Sequence, residues 1–267
     1  MQYRHLDRQQ YFNEQKVSTK KFILPYIEDG YKHYFKLPNF LKPGIRVLEV
    51  GCGEGGNLMP FLELGCECYG VELNDLNYKN AQTFYDKSPY KKYLHLYHND
   101  IYNLTYQDLG DSFDVIFLRD VLEHIPNQEM LMKHLKQFLA PNGIVFIAFP
   151  PWRMPFGGHQ QICRSKFLCK LPYFHILPKK IYEKILKLCG EKPKGLLEIK
   201  ETGISINRFE KITRKENYEV IKKTYWLINP NYQVKFGITP RKLHKLLQIH
   251  WLQDFYTTAV YYLLKLG

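Results

Sequence analysis

The sequence predicts an α/β fold in which a doubly wound, mostly parallel sheet carries helices on both faces. Three observations point there. Short apolar, β-branched runs alternate with helical periodicities through the first 150 residues. The first of these runs opens into the glycine-rich VLEVGCGEGGN at 47–57. Carboxylates then stand where later runs end, at Glu72 and Asp100. In such sheets, ligands sit beyond the carboxyl ends of the strands.

Taken in order, STKKFILPYIEDGYKHYF at 18–35 reads as a helix ahead of the sheet. IRVLEV at 45–50 is a strand entering a glycine turn, and the helix after it places Leu58, Phe61 and Leu62 on one face. CECYGVEL at 66–73 is the second strand, with a helical stretch to about Tyr85; KYLHLYHND is the third and ends at Asp100. FDVIFLRD at 113–120 is the fourth. QEMLMKHLKQFLA is a helix stopped by the turn Pro141-Asn142-Gly143, before the strand GIVFIAF. The rhythm then breaks. PPWRMPFGGHQQ holds three prolines and two adjacent glycines and reads as a shaped loop, followed by a basic, helical insertion to about Glu191. YEVIKKTYWLI and DFYTTAVYYLLKL are late strands suited to antiparallel pairing. Between them PRKLHKLLQIHWL has helical spacing, with Leu243, Leu246 and Leu247 on one side, and suits either a sheet-covering face or a membrane surface.

Composition narrows the function classes. An apolar fraction of 45 % with 15 % aromatics excludes a disordered chain. No run approaches the ~18 apolar residues of a membrane span. The opening MQYRHLDRQQYF lacks the apolar core of a signal peptide, so a cytoplasmic protein is expected. Six cysteines at 52, 66, 68, 163, 169 and 189 form no CxxC pair and read as reduced thiols. The net charge of +12 is uneven: +4 over 1–42, −6 over 43–150 and +14 over 151–267. A basic tail attracts phosphates, carboxylates or an anionic membrane surface, and a lysine-rich solvated face produces the same pattern.

The glycine loop alone admits two cofactors. Gly51, Gly53 and Gly56 fit the GxGxxG dinucleotide fingerprint, whereas Glu49, Gly51, Gly53 and Gly55 fit ExGxGxG. Glu72 serves either, since a carboxylate at the second strand's end accepts both ribose hydroxyls. Later segments decide. VLEVGCGEGGN, YGVELN, HNDIYNL, DVIFLRDVLEHI and LKQFLAPNGIVFIAFP follow one another over about 45–150. In that order the chain resembles the class I S-adenosylmethionine-dependent methyltransferases, especially the small-molecule branch with the ubiquinone and menaquinone biosynthesis enzymes.

The resemblance implies a Rossmann-like sheet of seven strands, the last antiparallel, with a helical insertion after the fifth. Its parts would be an N-terminal helical cover (1–42), a cofactor core (43–150), a basic acceptor-site insertion (151–192), and C-terminal strands and a helix completing the sheet (193–267). S-adenosylmethionine would be the cofactor. Gly51, Cys52 and Gly53 would line its methionine end, Glu49 would help orient that end, and Glu72 would hold the ribose. Leu73 would pack on adenine, Asp100 and Ile101 would frame its edge, and the Arg119 carbonyl would face the amino group. The Arg119 side chain departs from the small or polar residue expected there. The acceptor would be a small molecule, glycan or lipid-linked precursor methylated on oxygen. Kept beside this reading are an RNA methyltransferase, a noncatalytic binder of an acidic ligand or RNA, and a dehydrogenase.

For a hydroxyl acceptor a base is needed. His159, in PFGGHQQ after the fifth strand, is the first candidate, although a loop histidine also serves to pin its loop. His124, in LEHIP, is the second. His159, Cys163, Cys169 and His175 are spaced as no standard zinc set, and no metal is expected.

Overall fold

A computed structural model describes residues 7–267. The opening six residues of the expected cover, and of the stretch lacking a signal peptide, lie outside the described residues.

The chain runs α1 (Arg8–Ser18), α2 (Leu24–Phe35), β1 (Arg46–Val50), α3 (Met59–Glu63), β2 (Glu67–Glu72), α4 (Asp75–Tyr85), β3 (Leu94–His98), β4 (Phe113–Arg119), α5 (Gln128–Leu135) and β5 (Leu139–Phe149). It continues with α6 (Lys179–Leu188), α7 (Pro193–Thr202), α8 (Ile206–Lys215), β6 (Tyr218–Ile228), α9 (Asn231–Phe236), β7 (Arg241–Lys242), α10 (Gln253–Tyr256) and β8 (Ala259–Leu266). One sheet joins the strands in the order β3-β2-β1-β4-β5-β8-β6-β7. β1 to β5 are parallel, and β8 lies antiparallel between β5 and β6. These are the expected seven strands, with the two-residue β7 added at the edge. Strand order reverses between β1 and β4, so a crevice opens at their carboxyl ends.

The two faces explain the continuous apolar runs. Leu48, Ile116, Leu118, Val145, Ile147 and Tyr262 enter one core, with Leu131, Met132, Phe209 and Ile212 from α5 and α8. Their neighbours Val47, Val115, Phe117, Phe146 and Tyr261 enter the other, beneath α1 to α4. A strand buried on both faces has no polar positions to alternate with. No helix among the described residues is long and apolar enough to cross a membrane.

Four local expectations change. The stretch at 18–35 is not one α-helix: Thr19–Ile23 is a π-helical turn between α1 and α2, where Pro25 stands in the first turn of α2 with no N–H to give. Pro141-Asn142-Gly143 lies inside β5 as an irregularity, with Asn142 at φ +66°, and the register against β4 shifts there. Much of the insertion is short 3-10 turns, at Gln160–Ile162, Leu168–Lys170 and Phe174–Ile176, with α6 following. Its prolines and Gly157-Gly158 forbid a long helix, and it closes over its own small core of Leu168, Phe174, Tyr182, Leu186 and Leu196. The helical spacing at 240–252 is overridden as well. Leu243 is buried, its N–H donating to Tyr225 O (2.8 Å), and Lys245–Leu247 is a single 3-10 turn.

Candidate functional site

The loop after β1 is shaped by backbone geometry. Gly51, Gly53 and Gly55 have φ of +70°, +55° and +79°, where a Cβ is strained. The Gly51 and Cys52 amides both donate to Val71 O (2.8 and 3.1 Å), and the Tyr85 hydroxyl donates to Gly55 O (2.7 Å). A Cβ on Gly51 would lie 2.7 Å from Val121 Cγ2, so the loop packs directly on the segment leaving β4. At Gly53 the Cβ direction meets no atom of the described residues within 4 Å, which leaves its outer face open among them. Cys52 is buried, and that burial pushes its thiol well above the ordinary value, as suits a loop-filling residue rather than a nucleophile.

Glu72 is fixed by two backbone donors, Gly53 N to Oε2 (2.8 Å) and Asn74 N to Oε1 (2.7 Å), which ties the end of β2 to the glycine loop. Leu73 follows it, 66 % exposed. Asp100 caps the turn Ile101–Asn103 through Tyr102 N (3.0 Å). Ile101 is buried in the core, and its carbonyl lies 2.8 Å from His134 Nε2.

Glu49 is buried on β1. Its Oε1 accepts from Asn57 Nδ2 (2.7 Å), while Oε2 has no partner among the described residues. Burial raises its carboxyl to about 8, against the opposing pull of Asn57 and Arg119. The Arg119 side chain turns inward, a placement that residue type alone did not reveal. Its Nη1 donates to Asn57 Oδ1 (3.0 Å) and Thr19 Oγ1 (3.3 Å), and its Nη2 to Ser18 Oγ (2.9 Å). A buried guanidinium thus clamps the π-helical turn of the N-terminal cover onto the cofactor loop. Arg8 Nη1 adds a second tie, 2.9 Å from the buried Glu54.

Beyond β4, Asp120 adopts φ +55°, and its N–H donates to Ala148 O (2.9 Å). The chain then turns through Leu122–His124. On the neighbouring loop after β5, His159 also lies at positive φ (+54°). The imidazoles of His124 and His159 meet with centroids 5.0 Å apart and their planes tilted by 56°. Glu123 joins them: ligand atoms of Glu123, His124 and His159 all lie within 4.8 Å of one another. The structure therefore brings the two sequence-predicted histidines together and adds a carboxyl that sequence reasoning missed, although Glu123 adjoins His124 in the same motif.

Burial raises the Glu123 carboxyl well above its ordinary value, with the charge of Asp120 adding to the shift. Burial lowers His124, Asp120 opposing. Both groups are thereby favoured in their neutral forms. Two histidines and a carboxyl at this spacing can pass a proton or contribute three ligands to a divalent cation.

The other spaced set is not a site. His175 is buried, its Nε2 donating to Trp152 O (2.6 Å), and burial lowers it to about 4. A Cβ on Gly157 would come 2.6 Å from that Nε2, so His175 fits against the glycines and anchors the loop that displays His159. Tyr11 of α1 and Tyr232 of α9 both have raised hydroxyls, chiefly through burial, and both feel the charge of Asp120.

Residues 26–170 match a family model described as "Methyltransferase domain". A ubiquinone biosynthesis O-methyltransferase from Mesorhizobium japonicum is 30 % identical over 135 residues, covering 47 % of this chain and 50 % of the relative. A sterol 24-C-methyltransferase from Gibberella zeae is 27 % identical over 115 residues, covering 43 % and 30 %. The chain spans about half the length of the first of these curated relatives and less of the second. Among solved structures, the plantazolicin methyltransferase BamL in complex with a triazolic desmethyl analogue and SAH superposes with a TM-score of 0.58 at 11 % identity, covering 98 % of this chain and 87 % of that one.

Proposed function

Because the chain belongs to the methyltransferase-domain family, we propose that it is an S-adenosylmethionine-dependent methyltransferase acting on an oxygen of a small molecule, glycan or lipid-linked precursor, in the cytoplasm. The observation that carries the choice of oxygen is the meeting of Glu123, His124 and His159, on a segment that touches the glycine loop through Val121. The relatives' names include both oxygen and carbon acceptors, so likeness alone does not choose the atom.

The residues fit the cofactor on three counts. Among the described residues, Gly53 leaves open space where a side chain would stand and the buried Glu49 Oε2 has no partner, as a cation would need, while Glu72 is held rigid at the strand end. The Gly51, Cys52 and Gly53 backbone would line the methionine end, Glu49 would face its ammonium, and Glu72 would receive the ribose hydroxyls on lone pairs its two backbone donors leave free. Leu73, Asp100 and Ile101 would frame the adenine, and the Arg119 carbonyl would serve the amino group while its side chain holds the cover closed. When bound, the cofactor supplies an electrophilic sulfonium methyl, displaced in line.

The protein's own work is positioning, exclusion of water and management of one proton. His159 takes the proton of the acceptor hydroxyl. His124 stands against it as a second, neutral imidazole, and the neutral Glu123 carboxyl lies beside the pair without adding charge, its buried Oε2 without a partner among the described residues. The buried hydroxyls of Tyr11 and Tyr232, both within reach of the Asp120 charge, would exclude water beside that residue.

Calorimetric titration tests the first half: micromolar binding of S-adenosylmethionine and S-adenosylhomocysteine, with none of NAD, is expected. Binding of NAD alone would make the chain a dehydrogenase, and binding of none would leave a noncatalytic scaffold. Turnover that survives dialysis against EDTA supports the proton reading of the histidine cluster, and turnover restored only by a divalent cation supports the metal reading.

A further inference from the structure

Residues 220–253 contain six lysines and arginines and neither aspartate nor glutamate. Within this stretch the chain makes a pinned, outward turn. One anchor is buried Leu243; the other is Gln253 and Asp254, both buried, with Asp254 Oδ1 accepting from Ile206 N (2.9 Å). Between the anchors, Gln248 Nε2 donates to Leu243 O (2.9 Å) and Asn207 Nδ2 to His250 O (2.7 Å), so the turn is held by hydrogen bonds. Its apolar side chains nonetheless point away from the protein: Leu246 is 79 % exposed, Trp251 64 %, Ile249 44 % and Leu247 42 %. Arg241, Lys242, His244, Lys245 and His250 are exposed around them.

A clustered display of four large apolar side chains needs a cover. We infer that the turn at 244–252, with Arg241 and Lys242 beside it, docks this protein on an anionic lipid surface. Leucine and isoleucine gain most from acyl chains, a tryptophan suits the headgroup boundary, and cations around them meet lipid phosphates. Nucleic acid would use the cations but stacks its bases on aromatic rings, and the turn offers mainly aliphatic ones. A second copy would set two basic rims against each other with no acidic residue in the stretch to answer them. The turn also adjoins the loop that carries His159: the Tyr173 hydroxyl donates to Phe255 O (3.0 Å), and Arg153 lies over the Phe255 ring at 5.7 Å. Docking here is independent of whether the chain transfers methyl groups.

The full chain is sedimented with vesicles of phosphatidylcholine alone, and with vesicles containing about one-third phosphatidylglycerol, at low and high salt. Binding to the anionic vesicles only, weakened by salt, is expected, with a blue-shifted tryptophan emission that Trp251→Phe removes. The pair Leu246→Ser with Trp251→Ser should reduce partitioning ~100-fold, about tenfold for each apolar side chain. Arg241→Gln, Lys242→Gln and Lys245→Gln together should reduce it to a similar extent, at roughly fivefold per charge. Unchanged thermal midpoints show that both variants fold, and the salt dependence and emission shift of the unaltered chain need no variant. The inference is overturned by failure to bind anionic vesicles, by binding indifferent to Leu246 and Trp251, by a dimer that the serine pair dissociates, or by RNA retained through these residues in place of vesicles.

Discussion

Replacing Glu49 with glutamine removes a buried acid while keeping an acceptor oxygen for Asn57. The native carboxyl is raised from an ordinary 4.5 to about 8, chiefly by burial. Between these values the native chain holds a proton that the unfolded chain has released. Native stability therefore falls as pH rises through that window, and the deficit is complete by about pH 8. At ~1.4 kcal/mol per tenfold difference in proton affinity the deficit reaches ~5 kcal/mol, and relaxation around the ionised group reduces it to ~3–5 kcal/mol. Urea unfolding of both proteins at pH 5 and pH 8 measures it. The unaltered chain should lose ~2–3.5 kcal/mol more than Glu49→Gln over the interval, making the variant the more stable protein at pH 8. Parallel pH dependences would refute the reasoning, because they would mean that Glu49 is already ionised in the folded protein. The cofactor adds an independent consequence. If its ammonium meets Glu49, binding at pH 7 should expel most of one proton, read by calorimetry in two buffers of different ionisation enthalpy, and Glu49→Gln should expel none.

His159→Ala is expected to lower kcat ~10²- to 10⁴-fold, with S-adenosylhomocysteine affinity nearly unchanged; full activity on the true acceptor would remove His159 from the base role. Gly51→Ala should destabilise the fold by several kcal/mol, since its Cβ would meet Val121 at 2.7 Å on a backbone at φ +70°. Gly53→Ala should cost only ~1 kcal/mol in stability, because no atom of the described residues stands in the way; its main effect should be a loss of cofactor affinity, and a variant binding normally would show that the cofactor does not pass there. Arg119→Ala leaves Ser18, Thr19 and Asn57 without their common donor. It should cost ~2–4 kcal/mol and speed proteolysis or amide exchange at 8–23 before the rest of the chain.

The middle of the sheet was legible because both faces of β4 and β5 are buried, which writes them as the apolar runs 115–118 and 144–149, and because positive φ at Gly51, Gly53 and Gly55 demands glycine at readable places. Glu72 was legible for a related reason: a carboxylate at a strand end beside such a loop has few other uses. What escaped depends on contacts distant in sequence. Arg119 reaches across 101 residues to Ser18, and nothing near Arg119 in the chain announces that its side chain points inward. Glu123 reads locally as one polar residue of a turn, and its importance appears only when the loop after β5 brings His159 against it. The 240–252 segment misled through periodicity. Leucines at 243, 246 and 247 have helical spacing, yet the hydrogen bond from Leu243 N to Tyr225 O commits the backbone to the sheet edge, after which Leu246 and Leu247 can only point outward.

That contrast bears on how the site is assembled. Every group proposed to touch the cofactor sits on or beside β1 to β4, where two buried faces fix the strand ends. The acceptor-side base, His159, instead sits on a loop of prolines and glycines whose position depends on His175 being seated between Trp152 and the Gly157-Gly158 backbone. Donor binding is thereby built into the sheet, while the acceptor side rests on a small separate core around Phe174 and Tyr182. Substitutions in that core, such as Tyr182→Ala, should disturb turnover and acceptor binding while leaving the cofactor titration intact. Coupled loss of both functions would mean that the insertion and the sheet form one cooperative unit.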